Sequence, residues 1–266
     1  LSIATRNSSV TSSGAITLNN NLTVDATGAP LAITGGITGT GNLITISSFS
    51  LTISTNAVNH TGTITNTGTA GTTTISAVIG TSVTGVIQNS ATSQLTLSGV
   101  NTFTGGVTVK AGILSLTTST SAGGGSGTGT ITIGDTSGST AATLQGDGRT
   151  FANPIVLNTG TTGTLTIQPS ATSAIFSGGV TGTNNLTLNG SSTFTLTLST
   201  ASVNNVGTVT NLNAGTGTVT ISSVIGSNVT GITQNSSTSA LTLSGNNSTV
   251  GDIDIQAGTL TLAAST

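Results

Sequence analysis

The chain has 266 residues and a formal net charge of −2, with three basic and five acidic side chains and no Cys, Met, Trp or Tyr. Charged residues are 3% of the chain, against about 25% in ordinary domains, so Ser, Thr, Asn and Gly must form its surface. Three basic residues cannot make a nucleic-acid footprint, the lack of Cys excludes disulfides and thiolate metal sites, and no stretch approaches the ~18 apolar residues of a membrane helix.

The hydrophobic fraction is 33% and the mean hydropathy is +0.32. Disorder pairs low hydrophobicity with high net charge, so a folded state is expected. Short apolar-polar-apolar triplets run from one end to the other. In chain order they include Leu22-Thr23-Val24, Leu31-Ala32-Ile33, Leu51-Thr52-Ile53, Leu95-Thr96-Leu97, Val107-Thr108-Val109 and Ile131-Thr132-Ile133. Leu165-Thr166-Ile167, Leu186-Thr187-Leu188 and Leu241-Thr242-Leu243 follow. Period-two alternation puts the aliphatics on one face and mostly Thr on the other. Gly, Asn and Ser clusters between the triplets supply turn chemistry, and helical spacing is absent. The reading is all-β.

A long internal repeat organises these strands. Thr74-Ile75-Ser76-Ala77-Val78-Ile79-Gly80 returns as Thr220-Ile221-Ser222-Ser223-Val224-Ile225-Gly226. The offset of 146 residues also relates Gln88 to Gln234 and Leu95 to Leu241, whereas Leu1 and Leu144, or Leu22 and Leu165, lie 143 apart. Residues 1–143 therefore form a first long repeat and 144–266 a second, incomplete one, an excerpt of a tandem array. Within a copy, Leu95-Thr96-Leu97 and Leu114-Ser115-Leu116 are 19 residues apart, as are Leu241-Thr242-Leu243 and Leu260-Thr261-Leu262. A coil of about 20 residues is β-helix spacing. The expected fold is a right-handed parallel β-helix (a β-solenoid) of about twelve coils with no helical domain, stabilised coil by coil. Neither end carries an obvious polar cap.

The run from Leu95 to Leu116 reads LTLSGVNTFTGGVTVKAGILSL, and its second copy, Leu241 to Leu262, reads LTLSGNNSTVGDIDIQAGTLTL. The first resembles the passenger-associated transport repeat of bacterial autotransporters through Leu95, Leu97, Gly99, Asn101, Phe103, Gly105, Gly106, Ala111, Gly112 and Leu114. In the second, Ser248-Thr249-Val250 replaces Thr102-Phe103-Thr104 and the aromatic is lost. The resemblance implies a right-handed β-helix passenger on, or released from, the bacterial cell surface.

Chemistry-bearing groups are few. His60 is the only histidine, and Asn205 stands at its position in the second copy. A turn or surface position is expected there, and a Ser-His-Asp triad would rest on His60 alone. Asp252 and Asp254 should share the outer face of a strand, a thin start for calcium, which takes six to eight oxygens. Five dispersed acids do not suit a glycosidase pair. Gly123-Gly124-Gly125-Ser126-Gly127 lacks the Lys-Ser or Lys-Thr of a phosphate loop and reads as a corner. No catalytic residue, cofactor or metal ligand is assigned.

The expected function is a structural or adhesive extracellular stalk. Its partners would be neighbouring repeats or end-to-end copies, and host or cell-surface receptors, without nucleic acid or membrane insertion. Two alternatives are a self-assembling homopolymer and a Thr-rich face that binds a ligand or ice. Thr130-Ile131-Thr132, Thr164-Leu165-Thr166, Thr195-Leu196-Thr197, Thr208-Val209-Thr210 and Thr218-Val219-Thr220 suggest Thr ladders, but their spacing along the chain is irregular.

Overall fold

The computed structural model describes residues 2–5, 7–117, 126–190, 192–247 and 251–263. No α-helix occurs among them. The chain divides into two compact units, Leu1–Thr130 and Ile131–Thr266. Each is a parallel β-solenoid, and together they hold about eleven turns. This is slightly fewer than the twelve expected, because most windings exceed twenty residues.

In the first unit one side is built by Ser2–Ala4, Leu22–Ala26, Leu43–Ser47, Gly62–Asn66, Val83–Asn89 and the start of Val107–Leu116, each paired parallel to the next. A second side runs through Val10–Ser12, Leu31–Ile33, Leu51–Ile53, Thr72–Ile75, Gln94–Leu97 and the end of Val107–Leu116. Ile16–Leu18 pairs with Ile37–Gly39, and single bridges carry that third side on to Val58 and Ile79. Triplets suffice as strands because every backbone group finds its partner one winding away, which removes the edge problem along the unit.

Register converts the triplets into inward columns. Leu22, Leu43, Ile64, Val86 and Val107 stack in sequence, as do Ile33, Ile53, Ile75, Leu97 and Leu116. All ten are buried, and each is worth roughly 1.5–3 kcal/mol. The second unit repeats the plan with Leu186, Val209 and Ile232 on one side. Phe151, Phe176, Leu198, Ile221 and Leu243 line another. There Phe151 and Phe176 stack with centroids 5.1 Å apart.

Corners absorb variation in length. Leu22, Leu43 and Ile64 follow at steps of 21 residues, whereas Leu186, Val209 and Ile232 follow at 23. Asn side chains fix the corners: Asn42 Oδ1 accepts the Thr63 N–H (2.9 Å) and Asn185 Oδ1 accepts the Thr208 N–H (2.9 Å). Each carboxamide thereby satisfies a donor at the start of the next winding, as buried or half-buried backbone requires.

Candidate functional site

Polar side chains interrupt the inward columns, one of them over successive windings in each unit. In the first the column runs Val24, Thr45, Asn66, Gln88, Val109, and its three polar members are fully buried. Asn66 Nδ2 donates to Gln88 Oε1 at 2.7 Å. Gln88 Nε2 donates to the carbonyls of Ser90 (2.9 Å) and Ser93 (2.6 Å), and the hydroxyl of Ser90 donates to the Gly68 carbonyl. Asn66 Oδ1 accepts from the hydroxyls of Thr45 and Thr73, each at 3.1 Å. The cluster pins the corner leading into Gln94–Leu97, since Ser90 Oγ also accepts the N–H of Ser93 (2.8 Å).

The second unit rebuilds this corner with Asn211, Gln234, Ser236 and Ser239. Asn211 Nδ2 donates to Gln234 Oε1 (2.8 Å), and Gln234 Nε2 donates to the carbonyls of Ser236 (3.0 Å) and Ser239 (2.8 Å). One part is missing. Leu188 and Val219 occupy the register positions of Thr45 and Thr73, and Asn211 Oδ1 is buried without a hydrogen bond. Such an orphan costs about 1–3 kcal/mol relative to a satisfied acceptor.

The run that resembles the transport repeat packs directly on this corner. Gly112 has φ +68°, and a Cβ there would overlap the Ser90 carbonyl oxygen. Gly258, at φ +76°, faces the Ser236 carbonyl in the same way. Asn101 Oδ1 accepts the Ile79 N–H at 2.7 Å, and Asn247 Oδ1 accepts the Ile225 N–H at 2.7 Å. Phe103 is fully buried; its replacement run Ser248-Thr249-Val250 lies outside the described residues. The motif residues are thus the backbone approaches and plugs that let one winding settle on the previous one.

His60 lies between the bridge residues Val58 and Thr61, and it is fully buried rather than at the surface. Nε2 donates to the Thr63 carbonyl at 3.3 Å, and Nδ1 has no hydrogen-bond partner. Burial holds its pKa below the ordinary 6.5, and the bond to Thr63 offsets part of that. Asn205 copies the geometry, donating to the carbonyls of Asn184 (2.9 Å) and Thr208 (3.5 Å) with its Oδ1 unpartnered. Sequence alone concealed this, because a polar residue between Gly and Asn clusters looks solvated.

Asp252 and Asp254 are both exposed, in register with Gly231 and Thr233. Asp254 accepts from Gln256 Nε2 at 2.7 Å. Among the described residues, no group of three or more His, Cys, Asp or Glu side chains gathers. Gly123–Gly125 lie outside the described residues, while Gly127 (φ +63°) abuts the Phe103 carbonyl.

The Thr ladders are regular, contrary to the reading of the chain spacing. Thr143, Thr166, Thr187, Thr210 and Thr233 stand in one continuous register column, with Asp254 after them. Thr197, Thr220, Thr242 and Thr261 form another. Unequal corners hide this regularity in the sequence, because they change the distance along the chain without shifting the strands.

A family model, passenger-associated-transport-repeat, matches residues 92–116 and 236–262. No curated protein and no solved structure matches the chain. Both matched stretches begin at the polar corner and end on the winding stacked over it, so the family pattern and the structural unit coincide. The chain thus carries two stretches similar to the passenger-associated-transport-repeat, each set in a parallel β-solenoid.

Proposed function

We propose that this chain serves as a structural and adhesive segment of an exported bacterial passenger, displayed on or released from the cell surface. The observation that carries the reading is the pairing of stacked, mostly aliphatic columns inside with a nearly uncharged hydroxyl and amide exterior. Stability is then local to each winding and its neighbours, and it does not depend on distant charge pairs. This suits a spacer that must fold outside the cell and persist there. Its partners would be neighbouring repeats of the same protein and a surface receptor. No catalysis is proposed, because the titratable groups are dispersed.

Expressed with an outer-membrane translocator, the chain should be reached by antibody on intact bacteria. The purified chain should also outlast an unfolded control in proteinase K. Detection only after permeabilisation, or digestion at the control's rate, would overturn the proposal.

A further inference from the structure

The second unit carries a groove of about 330 Å³ across the outer face of three successive windings, lined among others by Thr164, Asn185, Thr187, Thr208, Thr210 and Leu212. We propose that this groove binds a small neutral saccharide, a site independent of whether the chain acts as a stalk.

Several of its hydroxyls are free, although that of Thr162, also in the lining, donates to the Gly138 carbonyl (3.2 Å). Some other outward hydroxyls of this unit are used internally in the same way: Thr181 donates to the Ile155 carbonyl (3.4 Å), Thr216 to Ser192 (3.3 Å) and Ser222 to Leu198 (3.3 Å). The hydroxyls of Thr164, Thr187, Thr208 and Thr210 have no such partner in the protein. The Asn185 carboxamide is held by its oxygen on the Thr208 N–H (2.9 Å), which leaves its amide protons for an outside acceptor. Thr187 and Thr210 are in register, so their hydroxyls repeat at about the 4.7–4.9 Å strand spacing.

The lining has donors and acceptors but no ionisable group, which suits a polyhydroxylated solute rather than an anion or a cation. Leu212 is 51% exposed and forms an apolar wall against which the C–H face of a sugar ring can rest. The volume lies at the lower end of small-ligand pockets, about 300–1,000 Å³, so a mono- or disaccharide fits. The groove's concavity opposes a planar lattice such as ice. The first unit has Ile44 and Thr67 at the register positions of Thr187 and Leu212, and the Thr67 hydroxyl is spent on the Thr45 carbonyl (3.3 Å). The site therefore belongs to one unit and is not a by-product of the repeat.

The test titrates the isotope-labelled full chain with lactose, maltose and cellobiose, and with anionic sialyllactose, while amide shifts are followed. Saturable millimolar binding of at least one neutral sugar is expected, with shifts confined to the groove. Thr187→Ile and Leu212→Thr install residues the first unit already accommodates at these positions, so they preserve the fold. Each should weaken binding by about fivefold or more, the worth of one hydrogen bond or contact. No saturable shift from any neutral sugar, unchanged affinity in both variants, or a preference for sialyllactose would overturn the assignment. So would thermal hysteresis without sugar binding, which would assign the face to ice.

Discussion

Three glycines separate two physical costs that are normally confounded. Gly14 has an ordinary φ and open space where a Cβ would stand. Gly138 has φ +91° and open space, and Gly112 has φ +68° with the Ser90 carbonyl in the way. Alanine at Gly14 should stabilise by about 0.4–1 kcal/mol, through the unfolded chain alone. Gly138→Ala should cost about 1–2 kcal/mol, the penalty of a left-handed conformation. Gly112→Ala carries that penalty plus overpacking of about 1–3 kcal/mol. It also displaces the Ser90 carbonyl from Gln88 Nε2, about 1 kcal/mol more, for a total of about 3–6 kcal/mol. Guanidinium unfolding of the full chain, followed by far-ultraviolet circular dichroism, gives the three values. A Gly112→Ala loss no larger than that of Gly138→Ala would refute the claim that the motif glycine exists for close approach.

His60 should make the first unit acid-sensitive. Its folded pKa is depressed by burial, so on acidification the unfolded chain takes up the proton first. Its contribution is complete above about pH 6.5 and declines below it, by at most about 1.4 kcal/mol per pH unit for one proton. His60→Asn, copying Asn205, should flatten the dependence of the unfolding midpoint between pH 6.5 and the carboxylate range; an unaltered slope would count against this reading. Val219→Thr should offer the Asn211 oxygen the hydroxyl that Thr73 gives Asn66, raising stability by about 1 kcal/mol, whereas Thr73→Val should lower it. Denaturant midpoints of the two variants decide this, and the same sign for both would contradict it. Asn101→Ala strands the buried Ile79 N–H and should cost about 1–3 kcal/mol, with the Ile79 amide losing hydrogen-exchange protection.

Much of the fold could be read from the triplets. Leu22-Thr23-Val24 and Leu241-Thr242-Leu243 are strands with their aliphatics inward because alternation has no other stable solution in a coil that buries one face. The Leu95 to Leu114 step of 19 residues is a real winding. Alternation could not reveal which polar residues turn inward. Asn66 is flanked by Thr65 and Thr67, and Gln88 by Ile87 and Asn89, so their burial is set by pairing across windings rather than by the local pattern. The recurrence of Gln88, Ser90 and Ser93 as Gln234, Ser236 and Ser239 at the 146-residue offset was the available signal. The groove was invisible for a related reason: Thr164, Asn185 and Thr208 are ordinary turn and strand residues until unequal corners align them.

Because length changes are confined to the corners, the stacked strands tolerate insertion without losing step. A foreign peptide grafted beside Gly138, where nothing crowds the backbone, should leave every strand pairing in place. The scaffold could then present antigens or enzymes at chosen heights, and lineages of such chains could diversify their outer loops while keeping one common spine.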